Sequence, residues 1–319
     1  MDNISTVITP ATATYLIGLL YRNTRTSCVS LALLCAHISH DTLRRVLYQK
    51  VPWSRRLWDF CAQGLVQMGG YLVIDDTRWE RFTRVADAVS WVWSSSVGKP
   101  VWGMQVVLLL WTNGKWKVPL GLRIWHKGGP SKVELAIDLL RQARRRGLQP
   151  AYVLCDSWYA AAEILNLLHG WGWHYVMRLK SNRKFGEASL RTTWSHRYGH
   201  AQGELRGVSH VVLVVKDGRR YWGTNDLALT VREVKAHYSH RQQIEETFRL
   251  LKQEFGWGSC SCRKQQAQWA HLHLGLYALV LTQQKAYADG QSIYALRQSL
   301  FTHSIPQNPL ALQEFAQAA

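Results

Sequence analysis

The sequence has no apolar run long enough to cross a lipid bilayer. Its most apolar stretches, residues 15–20 and 30–34, are far shorter than the roughly 20 residues that a membrane-spanning helix needs. The first residues have neither the positive segment nor the apolar run of a secretory signal, so we expect none. Six cysteines in 319 residues are too few for a disulfide framework, which favours a reducing compartment. Together these absences predict a cytoplasmic protein.

Acidic residues are also scarce. The chain has 21 Asp and Glu against 39 Lys and Arg, a formal net charge of +18. Such an excess predicts a polyanionic partner, either nucleic acid or an anionic surface. Hydrophobic residues still make up 47% and charged residues 19%, which allows a packed core and excludes a disordered chain. Composition alone would fit a structural DNA-binding protein equally well.

The first 69 residues are predicted to form a helical region, because from residue 11 the apolar positions recur at helical spacing. Within it, residues 38–47 resemble a turn followed by a short helix that carries Arg44 and Arg45. This is the shape of a small helix-turn-helix element that binds DNA. A plain helical bundle with a capped surface helix has the same pattern and remains the alternative.

From residue 70 the pattern changes to that of an α/β domain. The dipeptide Asn113-Gly114 predicts a hairpin, and Ser131 with Glu134 predicts a capping box at the start of a helix. Strands are expected at 71–74, 101–111, 116–125, 151–155 and 174–179. An antiparallel hairpin followed by strands joined through helices is the succession of a ribonuclease-H-like mixed sheet with flanking helices.

Residues 183–226 interrupt this succession and predict a small β insertion, in which Asp217-Gly218 marks a hairpin turn. Beyond it we expect one long helix over 231–255 and a second apolar helix over 265–281, followed by a tail with no predicted element. The predicted divisions are a helical region at 1–69, the first part of the core at 70–182, the insertion at 183–226, the C-terminal helices of the core at 227–283 and the tail at 284–319.

Four polar residues of the predicted helix 231–255 are spaced to share one face: Tyr238, Arg241, Glu245 and Lys252. At about 100° per residue they fall within roughly 60° of one another. The alternative explanation of these four residues is an ordinary charged helix whose side chains form ion pairs one turn apart.

Three acidic groups are expected to converge: Asp75 after the first strand, Asp156 after the fourth, and Glu245 on the later helix. A chain with few acids would not cluster carboxylates without a cation between them, because like charges at close range repel. Hard oxygen ligands suit Mg²⁺ or Mn²⁺, and two such ions can support phosphoryl transfer. Asp76 stays an alternative to Asp75, since neighbours on a strand point to opposite faces.

The spacing Tyr-x₂-Arg-x₃-Glu-x₆-Lys of the four helix residues resembles the signature of a large group of bacterial insertion-sequence transposases of the DDE type. Segments 73–77 and 153–159 resemble the first and second aspartate motifs of this group. The resemblance runs in order from residue 71 to residue 255. It implies a ribonuclease-H-like catalytic domain with a β insertion, which cuts DNA at the ends of a mobile element and joins them to a target.

The resemblance also implies roles for individual residues. Asp75, Asp156 and Glu245 would hold two divalent metal ions, Mg²⁺ or Mn²⁺. Double-stranded DNA, both element ends and target, would be the partner, and the protein would act as a homodimer.

The remaining signature residues, Tyr238, Arg241 and Lys252, would contact phosphates near the cleaved end. An arginine fork and a lysine point charge suit a backbone better than a base. Some relatives hold a flipped base on a tryptophan of the insertion, the position here of Trp222. In a chain with 16 tryptophans, a core role is the alternative for this residue.

Two other functions stay open at this point. A DNA-binding protein of transposase descent that has lost catalysis would keep the fold and the charge, but nothing in a binding role requires Asp156 and Glu245. A host nuclease of ribonuclease-H-like fold would explain the carboxylates but not the signature helix with its β insertion.

Overall fold

A computed structural model of the chain describes residues 8–21, 27–35, 37–62, 64–66, 68–80, 86–94, 97–303, 306, 310–311 and 315. The helices are α1 Pro10–Tyr21, α2 Cys28–Leu34, α3 His40–Tyr48, α4 Trp53–Ala62, α5 Lys132–Arg145, α6 Ala162–Gly170, α7 Leu190–Thr193, α8 Val231–Ser239, α9 Gln242–Gln253, α10 Gln265–Ala288 and α11 Ile293–Thr302. The strands are β1 Tyr71–Glu80, β2 Ser90–Ser94, β3 Lys99–Thr112, β4 Lys117–Trp125, β5 Tyr152–Cys155, β6 Tyr175–Leu179, β7 Lys184–Phe185, β8 Ala188–Ser189, β9 Tyr198–Glu204, β10 Val211–Asp217 and β11 Arg220–Thr224.

The chain forms two compact units. The first comprises Met1–Gln63, Arg78–Gln105 and Glu246–Ala319, and the second comprises Gly64–Thr77 and Val106–Glu245. β1, β3 and α9 each contribute residues to both units.

The second unit is built on a mixed sheet with the strand order β3-β1-β5-β6-β11-β10-β9, in which β4 also pairs with β3. β1 and β5 run parallel, as do β5 and β6. α5 carries the chain from β4 to β5, and α6 carries it from β5 to β6. The strands β3 and β5 are almost entirely buried, as expected of apolar runs covered on both faces. This is the mixed sheet with flanking helices that the sequence predicts.

The residues of the predicted insertion extend this same sheet. β11 pairs antiparallel with β6, with Trp222 opposite Arg178, and β10 lies between β11 and β9. The hairpin from β10 to β11 turns at Gly218, which has φ +60° and so suits a residue without Cβ. Only the pair β7–β8 forms a separate sheet among the described strands.

The first unit is mainly helical. α10 packs against α1, α3, α4 and α11 and is buried along most of its length, as expected of a helix that is apolar all round. No helix in the part of the chain that the structure describes is long and apolar enough to cross a bilayer. β2, which pairs antiparallel with the beginning of β3, has no counterpart in the sequence prediction.

The predicted tail contains a helix, α11, which the sequence analysis missed. Its Arg297 is only 1% exposed and donates hydrogen bonds to the backbone carbonyls of Leu19 and Glu254. The guanidinium also lies over the rings of Phe255 and Phe301. A local signal was present in the sequence, because Ser292 caps this helix and Ile293, Leu296 and Leu300 recur at helical spacing.

The single long helix predicted over 231–255 is wrong, because His240 and Arg241 separate α8 from α9. The Arg241 N–H donates to the Tyr238 carbonyl, three residues back, at 3.0 Å, so the turn here is tighter than an α-helix. The Ser239 hydroxyl donates to a carbonyl three residues earlier at 2.6 Å and competes with the regular helical bonds. The four signature residues therefore do not share the face of one continuous helix.

Candidate active site

The register of two parallel strands places the first two predicted acids side by side. Ile74 on β1 lies opposite Cys155 on β5, so Asp75 and Asp156 each follow a paired residue. β5 ends there, whereas β1 continues beyond the end that the sequence predicts, to Glu80. The Asp156 carboxylate accepts the backbone N–H of Trp158 at 2.8 Å, which fixes the turn after β5.

Arg241 connects the first and third predicted acids. Its Nη2 lies 2.6 Å from Asp75 Oδ2 and its Nη1 lies 2.5 Å from Glu245 Oε1. The Asp75 and Arg241 side chains are 14% and 16% exposed, whereas that of Glu245 is 57% exposed. The break between α8 and α9 thus positions a guanidinium between two carboxylates, and all three residues belong to the second unit.

The charge of Asp75 is poorly solvated. Burial raises the pKa of this carboxyl to about 7, Arg241 opposes the rise, and the charges of Asp156 and Asp76 add to it. The carboxylates of Asp75, Asp76 and Asp156 therefore lie close enough for their charges to interact. The guanidinium of Arg241 offsets part of the negative charge at Asp75.

Asp76, the alternative first acid, has different partners. The Lys132 ammonium lies 2.9 Å from Asp76 Oδ1, and the Tyr159 hydroxyl donates to the same oxygen at 2.6 Å. Neither Lys132 nor Tyr159 was predicted from the sequence to belong to the site. Tyr159 lies within the second aspartate motif, which was a usable signal, whereas nothing in the sequence distinguishes Lys132 from other lysines.

Tyr238 lies beside this cluster at the end of α8. Burial raises the pKa of its hydroxyl, and Asp156 acts in the same direction while Arg241 opposes it. Lys252 lies in the first unit, where its ammonium donates to the Arg78 carbonyl at 2.9 Å. Tyr238 and Arg241 thus lie near the acids in the second unit, whereas Lys252 belongs to the first unit.

Trp222 lies in the core, which was the alternative that the sequence left open. It is 4% exposed, and the Arg178 guanidinium carbon lies 5.1 Å from its ring centroid. The ring of Tyr238 meets it edge to face at 6.1 Å. A base could stack on Trp222 only if these neighbours moved.

Arg44 and Arg45 are both exposed on α3, which Ser39 caps by accepting the Thr42 N–H. Arg44 lies over the Tyr48 ring at 5.4 Å. Exposed arginines on a short capped helix agree with the predicted DNA contact and also with a plain bundle, so the role stays a prediction.

The donor set agrees with a divalent cation. Asp75, Asp156 and Glu245 offer only carboxylate oxygens, which are the ligands that hard divalent cations prefer. Among the described residues, however, no three His, Cys, Asp or Glu side chains are arranged as a metal site. In this arrangement Arg241 supplies the positive charge between Asp75 and Glu245.

The chain is similar to a known protein family and to solved structures. A family model described as the transposase DDE domain matches residues 70–281. Among solved structures, the cryo-EM structure of a piggyBac transposase synaptic complex with hairpin DNA matches with a TM-score of 0.55 at 11% identity, over 97% of this chain and 71% of that one. This likeness confirms the predicted ribonuclease-H-like fold class.

A second solved structure, the catalytic domain of human endonuclease V, matches 69% of this chain and 98% of its own at 14% identity. Its TM-score of 0.27 is too low to establish a shared fold. No curated protein matches the chain.

Proposed function

The chain belongs to the transposase DDE-domain family, and from this premise we propose that it is an active DNA transposase of the bacterial insertion-sequence group with the Tyr-Arg-Glu-Lys signature. In this proposal it cuts DNA at the two ends of a mobile element and transfers the strands to a target in the bacterial cytoplasm. The alternative is a transposase descendant that binds DNA without cutting it.

One observation carries the proposal: Arg241 holds Asp75 and Glu245 together next to Asp156, although the three acids come from separate segments of the chain. Clustering carboxylates costs free energy because like charges repel, and a DNA-binding role does not require such a cluster. A binding protein with a charge of +18 would gain affinity by losing these acids. The presence of these acids together therefore favours catalysis.

We propose that Asp75, Asp156 and Glu245 hold two divalent ions, Mg²⁺ or Mn²⁺, with Asp76 as the alternative to Asp75. Bound there, the ions would activate a water or a 3′-hydroxyl and stabilise the leaving oxygen of a phosphodiester. Arg241 positions the first and third acids until they take up this role.

We further propose that Arg241, Tyr238 and Lys252 contact DNA phosphates. Both Nη atoms of Arg241 are now used by carboxylates, so a phosphate contact would replace one of these ion pairs. Exposed Arg44 and Arg45 on α3 would bind the element ends, and two copies would hold two ends at once. The piggyBac transposase of similar fold has been solved as a synaptic complex, which supports this arrangement.

The test uses a supercoiled plasmid that carries the DNA flanking this gene. The plasmid is incubated with wild-type protein or with Glu245→Gln, with and without Mg²⁺, and breaks are mapped. Gln keeps an oxygen for Arg241, so the variant should fold, and its melting temperature checks this. Glu204→Gln, on an exposed position of β9, is the matched control for loss of one carboxylate.

We expect Mg²⁺-dependent breaks at both flanks with wild type and with Glu204→Gln, and none with Glu245→Gln, whose DNA binding is retained. Binding without breaks by well-folded wild-type protein would favour the inactive descendant. Equal cleavage by Glu245→Gln would exclude this residue from catalysis.

A further inference from the structure

An exposed tryptophan stands directly beside the acid cluster. The Trp158 side chain is in the turn after β5 and is 54% exposed, although its neighbour Tyr159 is fully buried. The Asp156 carboxylate accepts the N–H of Trp158 at 2.8 Å and that of Tyr159 at 3.4 Å. A rigid turn therefore presents a large aromatic ring to solvent two residues from a candidate catalytic acid.

Two ammonium groups accompany this ring. Lys132 Nζ lies 4.6 Å and Lys180 Nζ 4.8 Å from its centroid. Lys132 is also paired with Asp76, whereas Lys180 is an exposed side chain at the end of β6. An aromatic face with adjacent ammonium groups is the combination that single-stranded nucleic acids bind, because the base stacks while the phosphate pairs with the cation.

The ring borders a cavity of about 350 Å³, at the small end of the range for ligand pockets. Four basic side chains line it and none of its lining residues is acidic; the basic residues are Lys180, Arg183, Lys184 and Arg206. Apolar contact comes from Ala160, Ala161 and Leu179. The cavity is thus lined by one aromatic ring, by apolar side chains and by basic side chains.

Arg183 is the most constrained of these cations. Its Nη atoms donate to the carbonyls of Ala160 and Arg206, and its Nε is buried without a hydrogen-bond partner among the described residues. These contacts hold the guanidinium in place at the cavity, where it carries the charge and the donors that suit a phosphate oxygen.

We propose that Trp158 and this cavity form a binding site for one unpaired nucleotide of single-stranded DNA. The base stacks on Trp158, and its phosphate pairs with Lys180 and with the arginines of the cavity. A paired base inside a duplex has no free face for this stacking, so the site selects unpaired DNA. The inference rests on the proposed function, because it places a frayed or cut strand beside Asp156.

The test measures binding by fluorescence anisotropy, without metal, of a blunt duplex and of the same duplex with a short unpaired overhang. We expect wild type to prefer the overhang, and Trp158→Ala to lose roughly tenfold in affinity for it with little change for the blunt duplex. Trp158→Phe should keep most of the preference, because phenylalanine retains a stacking face. Trp93→Ala, which removes another exposed tryptophan, is the matched control.

A fluorescent base analogue, 2-aminopurine, placed in the overhang reports the stacking directly. Its emission should be quenched by wild type and not by Trp158→Ala. Lys180→Ala should reduce the slope of log affinity against log salt concentration by the amount expected for about one phosphate contact. Equal binding of blunt and overhang duplexes by wild type would overturn the proposal, and so would an equal loss for both probes in Trp158→Ala.

These measurements need no cleavage, so they separate the two proposals. An overhang preference that depends on Trp158 would support the site even if the plasmid experiment showed no breaks. Cleavage at the element ends without any such preference would support the transposase and overturn the nucleotide site.

Discussion

Arg241 Nη2 lies 2.6 Å from Asp75 Oδ2, although the two residues are 166 positions apart in the chain. The carboxyl is buried and its pKa is raised to about 7, whereas the guanidinium keeps its charge at any pH that the protein meets. The pair therefore joins β1 to the turn between α8 and α9. It also fixes the first candidate acid for whatever the site binds.

Removing the guanidinium should destabilise the protein. We expect Arg241→Gln to lower the free energy of unfolding by about 1.5–3 kcal/mol, because Asp75 loses a charged hydrogen-bond partner while remaining buried. Urea denaturation measures this loss. Arg249→Gln, at an exposed position of α9, should change it by no more than about 0.5 kcal/mol.

A double-mutant cycle tests the cause. Adding Asp75→Asn to Arg241→Gln should recover part of the loss, because no unpaired charge is then left. Strictly additive losses would show that the two side chains do not interact in solution.

The two neighbouring aspartates should differ in their effect on cleavage. Asp76 is already paired with Lys132 and Tyr159, so Asp76→Asn should disturb the site indirectly and lower Mg²⁺-dependent cleavage by about 10–100-fold. Asp75→Asn should lower it beyond that range. Initial rates on the plasmid substrate over a Mg²⁺ titration give both values, and the reverse ranking would make Asp76 the first acid.

The place of Asp156 could be predicted because β5 is a short apolar run whose end is visible in the sequence. Asp75 follows the apolar part of β1 as predicted, but the strand itself continues to Glu80. The ion pair between Arg241 and Asp75 could not be predicted, because the local pattern over 231–255 is strongly helical and gives no sign of the break between α8 and α9. That break coincides with Arg241 reaching Asp75 and Glu245, a tertiary contact that overrides propensity.

The two elements that were not predicted both carry a local signal. Ser292 caps α11, and Ile293, Leu296 and Leu300 recur at helical spacing, although the buried contacts of Arg297 with distant carbonyls are not visible in the sequence. β2 did leave a signal, since Trp91, Val92 and Trp93 are residues that favour strands and alternate in burial. Exposure of Trp158 follows from the turn that Asp156 fixes, so sequence alone could not separate it from the other tryptophans.

Acid should destabilise the second unit through His210. Its ring stacks on His169 at 3.9 Å, and its Nε2 lies 2.8 Å from the Tyr175 hydroxyl. Burial, followed by the charge of His169, lowers the pKa of His210 from 6.5 to about 4. The unfolded chain therefore binds this proton first, so the stability that is present above pH 6.5 is lost as the pH falls towards 4.

Melting temperatures between pH 7 and pH 4.5 check this expectation. The decrease should be smaller in His210→Phe than in wild type, because phenylalanine keeps the stacking and takes up no proton. His200→Gln, at an exposed position of β9, should follow wild type. The same decrease in all three proteins would show that other groups dominate the acid response.

Gly70, directly before β1, should tolerate no side chain. A Cβ there would lie 2.3 Å from Nε1 of Trp111, which is 1% exposed and has no room to move. We expect Gly70→Ala to lower the free energy of unfolding by about 1–3 kcal/mol through overpacking. Gly170→Ala is the matched control, because a Cβ at this last residue of α6 meets no atom within 4 Å.

Gly170→Ala should leave stability unchanged or raise it by up to about 1 kcal/mol, since alanine favours the helix and restricts the unfolded chain. Urea denaturation with equal m-values makes the two variants comparable. Trp111→Phe removes the part of the indole that the new Cβ would touch, so Gly70→Ala should cost less in that background than in wild type. An equal cost in both backgrounds would show that contact with Trp111 is not what destabilises Gly70→Ala, and that the loss comes from the backbone at Gly70 instead.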